Sequence, residues 1–233
     1  MAAPTRGSAT STTELVVNWV ALSSPQNGDS TIYTYNLEWD AGTAGVTFTS
    51  IHGFAPYSLV TTYTRSTDVV AGQSYQFRVR ALNIHGWGSY SPVLTIVASS
   101  KPGQMATVTT SIDSATGKLK IQWVAPNDNF NTITAYKIEI LKKSDSLFAQ
   151  DLTNCDGSSA TVRANLYCLI PMSTLTAAPY GYAFDELVVV KASATNAFGF
   201  GLTSAINTSG GKIRQVPDQM NTPVVVSLST TSI

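Results

Sequence analysis

The two histidines of this chain, His52 and His85, are its first candidates for acid–base chemistry. Each is followed directly by a glycine, a context that is typical of turns. A nucleophilic site also needs a serine or cysteine held beside the base, and the sequence has no Gly-x-Ser-x-Gly elbow. We therefore interpret both histidines as solvated loop residues and predict that the chain has no catalytic residue and is not an enzyme.

Acidic side chains do not form a recognisable metal site in the sequence. The aspartates of the second half do not have the spacing of a twelve-residue calcium loop. The two cysteines have no histidines near them in sequence and so lack the partners for a tetrahedral zinc shell. No glycine-rich phosphate cradle ending in lysine occurs. We therefore predict neither a metal nor a cofactor.

The two cysteines, Cys155 and Cys168, are candidates for a disulfide bond. Between them lie turn residues and then a strand-like run, so a β-hairpin would bring the two sulfurs together. A bond that closes a loop of this length would contribute about 3 kcal/mol in the chain-entropy model. Such a bond fits an oxidising location, and the alternative is a pair of free thiols in a reducing compartment.

Arg78 and Arg80 alternate with apolar residues in a strand-like segment that leads to Trp87. In a period-two pattern the apolar residues face the core and the arginines face outward. An arginine over the Trp87 ring would contribute about 0.5–1 kcal/mol at an exposed site. Together with the loop residues Phe198 and Phe200, these side chains form our candidate contact surface. The alternatives are exposed arginines of an ordinary domain end, and phenylalanines that pack against a neighbouring unit.

An internal repeat identifies the elements that must position these side chains. Three features occur twice, at offsets of 104, 101 and 113 residues. They are a strand that ends in Trp19 or Trp123, a Tyr-x-x-Glu segment that begins at Tyr35 or Tyr136, and an Ala-x-Asn-x-x-Gly-x-Gly-x-x-Ser segment around Asn83 or Asn196. A near-constant offset indicates a duplicated domain of about 100 residues, which is large enough to bury its own core.

The pattern within each unit predicts short antiparallel strands. Apolar and polar residues alternate, and Gly, Pro, Asn and Asp separate the alternating runs. About seven strands per unit are typical of a β-sandwich. We predict an all-β chain with sandwiches at residues 1–100 and 101–208, joined by a linker at 99–104. Residues 209–233 are predicted to be a second linker and the first strand of a third repeat.

This extra C-terminal strand carries the apolar residues Val224, Val225, Val226 and Leu228. A strand without a sheet of its own can add to the edge of a sheet in another chain. We therefore predict an assembly strand at these positions, which would produce a filament or an exchange between copies. Pairing within the same chain is the alternative.

The two units resemble the fibronectin type III family over almost the whole chain. The resemblance rests on Trp19 and Trp123 in the second strand, on Tyr35 and Tyr136 in the third, and on the two Ala-x-Asn motifs. It implies two tandem seven-strand, immunoglobulin-like sandwiches with Greek-key connections, in which these four residues are core markers. It also implies a tyrosine corner at Tyr75 in the first unit, which makes Tyr75 a fifth core marker. The matching position of the second unit is Val188, where the corner hydrogen bond cannot form.

Two narrower resemblances concern individual segments. The segment Trp-Gly-Ser-Tyr-Ser at residues 87–91 is similar to the Trp-Ser-x-Trp-Ser element of cytokine receptors, in which arginines stack between aromatic rings. Its second tryptophan is replaced by Tyr90, so receptor function does not follow. The segment at residues 167–182 looks like repeats of large surface proteins of ciliates and other protists, which would imply an extracellular array of such modules.

Composition restricts the partners. The formal net charge is zero and only 12% of residues are charged, so the chain lacks the positive field needed to bind nucleic acid or an anionic membrane surface. Its longest apolar runs have the length of a strand, and we predict no membrane insertion. No Arg-Gly-Asp motif is present. Asn207 begins an Asn-Thr-Ser sequon at the edge of the second predicted linker and is a candidate glycosylation site.

These observations favour a non-catalytic structural or adhesive segment of an extracellular or cell-surface protein. The expected partners are neighbouring repeats, copies of the same protein, or an extracellular protein or glycan ligand. Two alternatives stay open at this point. One is a receptor-like pair that holds a ligand at the elbow between the units, and the other is an accessory module of a larger extracellular enzyme.

Overall fold

The computed structural model describes residues 1–217 and residue 220 of the chain. The alternating segments of the first unit form antiparallel strands, as predicted. They are β1 (Thr5–Arg6), β2 (Leu15–Asn18), β3 (Thr34–Trp39), β4 (Thr49–His52), β5 (Thr62–Arg65), β6 (Ser74–Asn83), β7 (Gly86–Trp87) and β8 (Leu94–Val97). One sheet has the order β1-β2-β5 and the other β4-β3-β6, with β7 and β8 both paired to β6.

The second unit repeats this arrangement. Its strands are β9 (Thr109–Ile112), β10 (Leu119–Gln122), β11 (Ala135–Leu141), β12 (Phe148–Ala149), β13 (Tyr167–Ile170), β14 (Val190–Asn196) and β15 (Gly199–Phe200). Two short helices, α1 (Ala160–Asn165) and α2 (Met172–Thr176), flank β13. The sheets have the orders β13-β10-β9 and β12-β11-β14-β15. In the first unit β7 and β8 lie one after the other along the same edge of β6 and count as one strand of the sheet. Each unit is therefore a sandwich of three strands packed on four.

Each sandwich buries its own tryptophan, as the repeat predicts. The side chains of Trp19 and Trp123 are 5% and 4% exposed. Trp19 packs against Tyr35 with ring centroids 6.5 Å apart, and Trp123 packs against Tyr136 at 5.4 Å. All four rings therefore belong to the cores, and each unit has a separate cluster of buried apolar residues.

The repeated Ser and Asn of the Ala-x-Asn motif have structural roles that explain why they occur twice. Each serine hydroxyl accepts a hydrogen bond from the neighbouring strand, Ser91 from the N–H of Val79 at 3.1 Å and Ser204 from the N–H of Ala192 at 3.0 Å. The carboxamide of Asn83 bonds to the carbonyl of Asn27 and accepts a backbone N–H within its own turn. The equivalent Asn196 makes the same types of bond, so each asparagine closes the loops at one end of its sandwich.

The tyrosine corner forms in the first unit and is replaced by a reversed contact in the second. The hydroxyl of Tyr75 donates to the carbonyl of Asp68 at 3.2 Å and accepts from the N–H of Val70 at 2.7 Å. In the second unit the hydroxyl comes from the loop, because Tyr182 accepts from the N–H of Val189 at 3.1 Å. The loss of the strand tyrosine was evident from the sequence, whereas its replacement by Tyr182, seven residues before the bonded amide of Val189, was not predicted.

The predicted linker at residues 209–212 is wrong, because this segment completes the second sandwich. The N–H of Gly211 donates to the carbonyl of Thr110 at 2.9 Å, and Ile213 has no exposed surface. A Cβ atom at Gly211 would lie 2.4 Å from a methyl carbon of Leu119. The glycine therefore permits a close approach of the backbone to the core rather than flexibility. The predicted strand at Val224–Leu228 lies outside the described residues.

The cysteines are joined as predicted, although the connecting segment is not a hairpin. Cys155 and Cys168 form a disulfide bond with their Cα atoms 5.2 Å apart. The run interpreted as strand-like contains α1 instead, with Val162 and the following Leu166 packed against the core. Tertiary packing thus overrides the local preference of a β-branched segment. The disulfide fixes the loop that contains α1 against β13.

Candidate functional site

A row of alternating arginines and aromatic rings covers the outer face of the larger sheet in the first unit. The arginines lie on β6, where the residues between them face the core. Their cross-strand partners on β3 are Glu38 opposite Arg78 and Asn36 opposite Arg80. We call the row the arginine stack, and its members in spatial order are Phe48, Arg78, Tyr90, Arg80, Trp87 and Phe54.

The distances show a continuous stack. The Arg78 guanidinium carbon lies 4.2 Å from the Phe48 ring centroid and 3.9 Å from that of Tyr90. The Arg80 guanidinium carbon lies 4.5 Å from the ring centroids of both Tyr90 and Trp87. The Trp87 ring then stacks on Phe54, with centroids 5.9 Å apart and planes inclined by 11°. Each guanidinium is therefore held between two aromatic rings, and this cation–π geometry stabilises the contact with both rings.

Glu38 neutralises one end of the arginine stack. Its Oε2 atom accepts hydrogen bonds from Nε and Nη2 of Arg78, at 2.9 and 2.7 Å, and its Oε1 accepts from the Tyr90 hydroxyl. Glu38 is only 8% exposed, and a buried charge requires hydrogen-bonding or ionic partners of this kind. Burial, and next the hydrogen bond to Glu38, raise the pKa of the Tyr90 phenol. Tyr90 therefore stays protonated and donates to Glu38.

Arg80 is bonded much less completely than Arg78. Among the described residues, its guanidinium makes one hydrogen bond, from Nε to Oδ1 of Asn36 at 3.3 Å. No carboxylate in the described part of the chain lies within 4.0 Å of it. The arginine stack thus has one neutralised cation and one cation whose Nη groups have no protein partner among these residues.

The structure confirms the predicted stack of an arginine on Trp87 and identifies that arginine as Arg80. Phe48 was not predicted from the sequence, and Phe54 was not connected with the arginines, because both lie in loops on either side of β4 and have no fixed spacing to β6. Glu38 was not predicted either. Glu38 could have been found from the sequence, because a glutamate and an arginine that face outward on two paired strands typically form a cross-strand ion pair.

The second group of predicted contact residues lies at the junction between the two sandwiches. Phe198 contacts the first unit, because the guanidinium carbon of Arg6 lies 4.0 Å from its ring centroid. Nη2 of Arg6 also donates to the carbonyl of Ser99 at 2.8 Å. Phe198 therefore packs against the neighbouring unit, as one of the two sequence alternatives states. Phe200 is 51% exposed, and its role as a contact residue stays a prediction.

Hydrogen bonds hold the segment that joins the units. Asn196 of the second unit donates to the carbonyl of Ser100 at 2.8 Å, and the N–H of Ser100 donates to Asn129 at 3.2 Å. The side chain of Asn129 returns a bond to the carbonyl of Lys101 at 2.7 Å. Pro102 is buried. The predicted linker at residues 99–104 therefore has few free backbone groups at its centre, which restricts the relative motion of the sandwiches.

A direct contact between loops adds to the junction. The ring of Phe130, in the second unit, lies against Gly72 of the first, where a Cβ atom would be 2.4 Å from the ring carbon Cδ1. Gly72 has a φ of +80°, which independently favours glycine at this position. Gly72 thus supplies both the turn and the space for the ring.

Asn207 does not lie in an exposed linker, and the premise of the glycosylation prediction is wrong. Its side chain is 3% exposed. Nδ2 donates to the carbonyl of Val188 at 2.9 Å, and Oδ1 accepts from the N–H of Val190 at 2.7 Å. A glycan on Nδ2 would have to displace these buried bonds. The folded second unit therefore does not offer this nitrogen for modification.

The two histidines have different environments, and the loop interpretation of His52 is wrong. His52 ends β4, and its ring lies 5.2 Å from that of Tyr63 and 6.3 Å from that of Trp19. Burial lowers the pKa of the imidazole. His85 is exposed in the turn after β6, as predicted. Within residues 1–217 and 220, no three His, Cys, Asp or Glu side chains are grouped to hold a metal ion.

The two helices of the second unit are short. Both α1 and α2 are shorter than two turns. The part of the chain that the structure describes contains no helix with the length and hydropathy required to cross a bilayer.

Comparisons with known proteins support the fold. The family model described as fibronectin type III domain matches residues 2–97. No curated protein matches the chain. The comparisons do not test the resemblance to protist surface repeats, which stays a prediction.

Two solved structures are similar to the chain. The FN1–FN3 domains of chicken CNTN1 match with 17% identity and a TM-score of 0.46, over 88% of this chain and 65% of that one. The sixth fibronectin type III domain from human fibronectin type III domain containing protein 3 matches with 24% identity and a TM-score of 0.34, over 42% of this chain and 81% of that one. This chain therefore spans 65% of the length of the CNTN1 fragment. Residues 2–97 thus match the fibronectin type III family model, and the second unit repeats the strand order and the buried tryptophan of the first.

Proposed function

We propose that this chain is a non-catalytic structural and adhesive segment of an extracellular protein. The observation that carries the proposal is the junction, in which hydrogen bonds and the Arg6–Phe198 contact hold one sandwich against the next. A pair of sandwiches joined in this way transmits force and keeps a fixed distance between whatever is attached at its ends. The partners are neighbouring repeats, copies of the same protein, or an extracellular protein that docks on an outer sheet face.

Two further observations support this proposal. The disulfide between Cys155 and Cys168 fits an oxidising compartment, because cytosolic proteins keep their thiols reduced. The first unit matches the fibronectin type III family model, and domains of this family are typical extracellular adhesive and structural modules. The proposed location is therefore extracellular or on the cell surface.

The stiffness of the junction can be tested with the substitution Asn196→Ala. The carboxamide of Asn196 bonds both to the Ser100 carbonyl of the joining segment and to loops of its own unit. We expect residual dipolar couplings to give one alignment tensor for both sandwiches of the parent protein. The variant should give two different tensors, because it loses the bond to Ser100 and also the bonds to Asp128 and Asn131, which hold the loop that carries the other junction contacts.

Asn83→Ala is the matched control. Asn83 occupies the equivalent position in the first unit, and its carboxamide bonds only within that unit. The control removes the same group from the same type of loop and should keep a single alignment tensor. Independent tensors in the unmodified protein would contradict a stiff spacer.

Self-assembly through the predicted C-terminal strand is a more specific form of the proposal. The strand around Val224–Leu228 lies outside the described residues, and the proposal rests on its sequence alone. The expected result by light scattering is a mass of two or more monomers for the full chain and the mass of one monomer for a chain that ends at residue 216. The mass of a single monomer for both chains at every concentration would refute self-assembly by this strand.

A further inference from the structure

We propose that the arginine stack is a docking face for an acidic, extended segment of a partner protein, with Arg80 as the group that binds its carboxylate. The inference rests on the adhesive role proposed above and names the face and the chemistry of the partner. It starts from the unequal bonding of the two arginines. Arg78 donates two hydrogen bonds to Glu38, whereas Arg80 has only the bond from Nε to Asn36 among the described residues.

The arginine stack therefore has one uncompensated positive charge. Arg78 and Glu38 neutralise each other, and no carboxylate of residues 1–217 or 220 lies within 4.0 Å of Arg80. The chain as a whole has no net charge, so this cation is a local feature and not part of a general positive field. A partner is attracted here by a short-range, directional interaction with a single guanidinium.

Arg80 is also held in place before a partner arrives. Its guanidinium lies between the rings of Tyr90 and Trp87, at 4.5 Å from each centroid. A free arginine loses much side-chain entropy when it forms an ion pair, and an arginine already fixed between two rings loses less. Its Nη groups form a planar fork of donors that matches the two oxygens of a carboxylate.

The rings of the arginine stack favour a protein partner over a glycan. A sugar ring packs its C–H face against the exposed face of an aromatic ring. Here the faces of Trp87 are covered by Phe54 and Arg80, and those of Tyr90 by the two arginines. At the centre of the arginine stack, only the edges of the rings and of one guanidinium face the solvent. Carboxylates and backbone carbonyls can bind to such edges.

The shape of the row indicates an extended partner. Arg78 and Arg80 are separated by one residue on β6, so they lie about 7 Å apart along the strand. An extended peptide has the same repeat. A glutamate on such a segment can meet Arg80 while the neighbouring small residues pass over the ring edges.

The experiment is a titration of the full chain with a short blocked peptide that alternates glutamate and glycine. Binding is followed by NMR at the Arg80 Nε–H and the Trp87 indole N–H. We expect saturable shifts at both, which weaken as salt is added. A peptide with glutamine in place of glutamate should bind about tenfold more weakly or worse, because it lacks the charge-assisted bond.

Two substitutions separate the role of Arg80 from that of a general positive charge. Arg80→Gln should weaken binding of the glutamate peptide by about tenfold or more. Arg65→Gln is the control, because Arg65 also stacks on a tryptophan, 4.5 Å from the ring of Trp39, but is already paired with Asp68. The control should bind the peptide as the parent protein does.

Several outcomes would overturn the proposal. Equal binding by Arg80→Gln and the parent protein would exclude Arg80, and equal binding of the glutamine peptide would exclude carboxylate recognition. Saturable binding of a sulfated oligosaccharide without binding of the peptide would assign the face to a glycan instead. If Arg80→Gln does not fold, the parent titration still decides, since shifts that avoid Arg80 and Trp87 contradict the proposal. The titration does not depend on the stiffness of the junction, so the two proposals can fail separately.

Discussion

Ile213→Ala should lower the free energy of unfolding of the second sandwich by about 2–5 kcal/mol. Ile213 has no exposed surface and belongs to the same cluster of buried residues as Leu119 and Trp123. Truncation to alanine removes three carbon atoms from a close-packed core and leaves a cavity. Chemical denaturation followed by residue-resolved amide signals would separate the second unit from the first, whose stability should not change.

The control for this prediction is Ile206→Ala. Ile206 lies in the same unit and is 48% exposed, so its truncation should change the stability by no more than about 0.5 kcal/mol. If residues 209–214 were a linker, Ile213→Ala and Ile206→Ala would have the same small effect. That result would restore the domain boundary at residue 208 and contradict the packing described here.

This boundary shows where the sequence is ambiguous. Ser-Gly-Gly-Lys at residues 209–212 has the composition of a flexible linker. The structure uses both glycines for close approaches, since a Cβ atom would lie 2.3 Å from the hydroxyl of Thr110 at Gly210 and 2.4 Å from Leu119 at Gly211. Composition cannot distinguish a glycine that permits motion from one that permits contact, because the difference depends on the partner across the sheet.

The fold was predictable because its signals are local and occur twice. A period-two strand that ends in a tryptophan specifies a buried face without knowledge of the rest of the chain. The tryptophan, tyrosine and asparagine of each unit then appear in the same order at similar offsets. The two buried pairs, Trp19 with Tyr35 and Trp123 with Tyr136, confirm that the repeat in sequence is a repeat in packing.

The candidate site was predictable only along one strand. Arg78, Arg80 and Trp87 lie on β6 and the strand that follows it, so alternation places them on one face. Phe48 and Phe54 lie in the loops before and after β4, and their positions depend on how β4 pairs with β3. That pairing includes a register shift between Leu37 and Glu38, which no periodicity reveals. The complete arginine stack is therefore a product of sheet pairing.

The role of a single asparagine also depends on the sheet around it and not on a short sequence motif. Asn207 matches a sequon, yet its carboxamide completes the hydrogen bonding between the last segment and β14. Asn196 matches no functional motif, yet it ties the joining segment to the second unit. The bonds available to a carboxamide depend on unpaired backbone groups nearby, and these are set by the sheet.

Removal of the disulfide should affect the second sandwich as strongly as the core substitution does. The double substitution Cys155→Ala with Cys168→Ala should lower the free energy of unfolding of this unit by about 3 kcal/mol, because the unfolded chain regains the freedom of the closed loop. Both residues are buried, and alanine avoids placing a hydroxyl in the core. Denaturation of the variant and of the reduced parent protein should agree, with the first unit unchanged in both. If the reduced parent protein is as stable as the oxidised one, the disulfide does not stabilise the fold and this prediction is wrong.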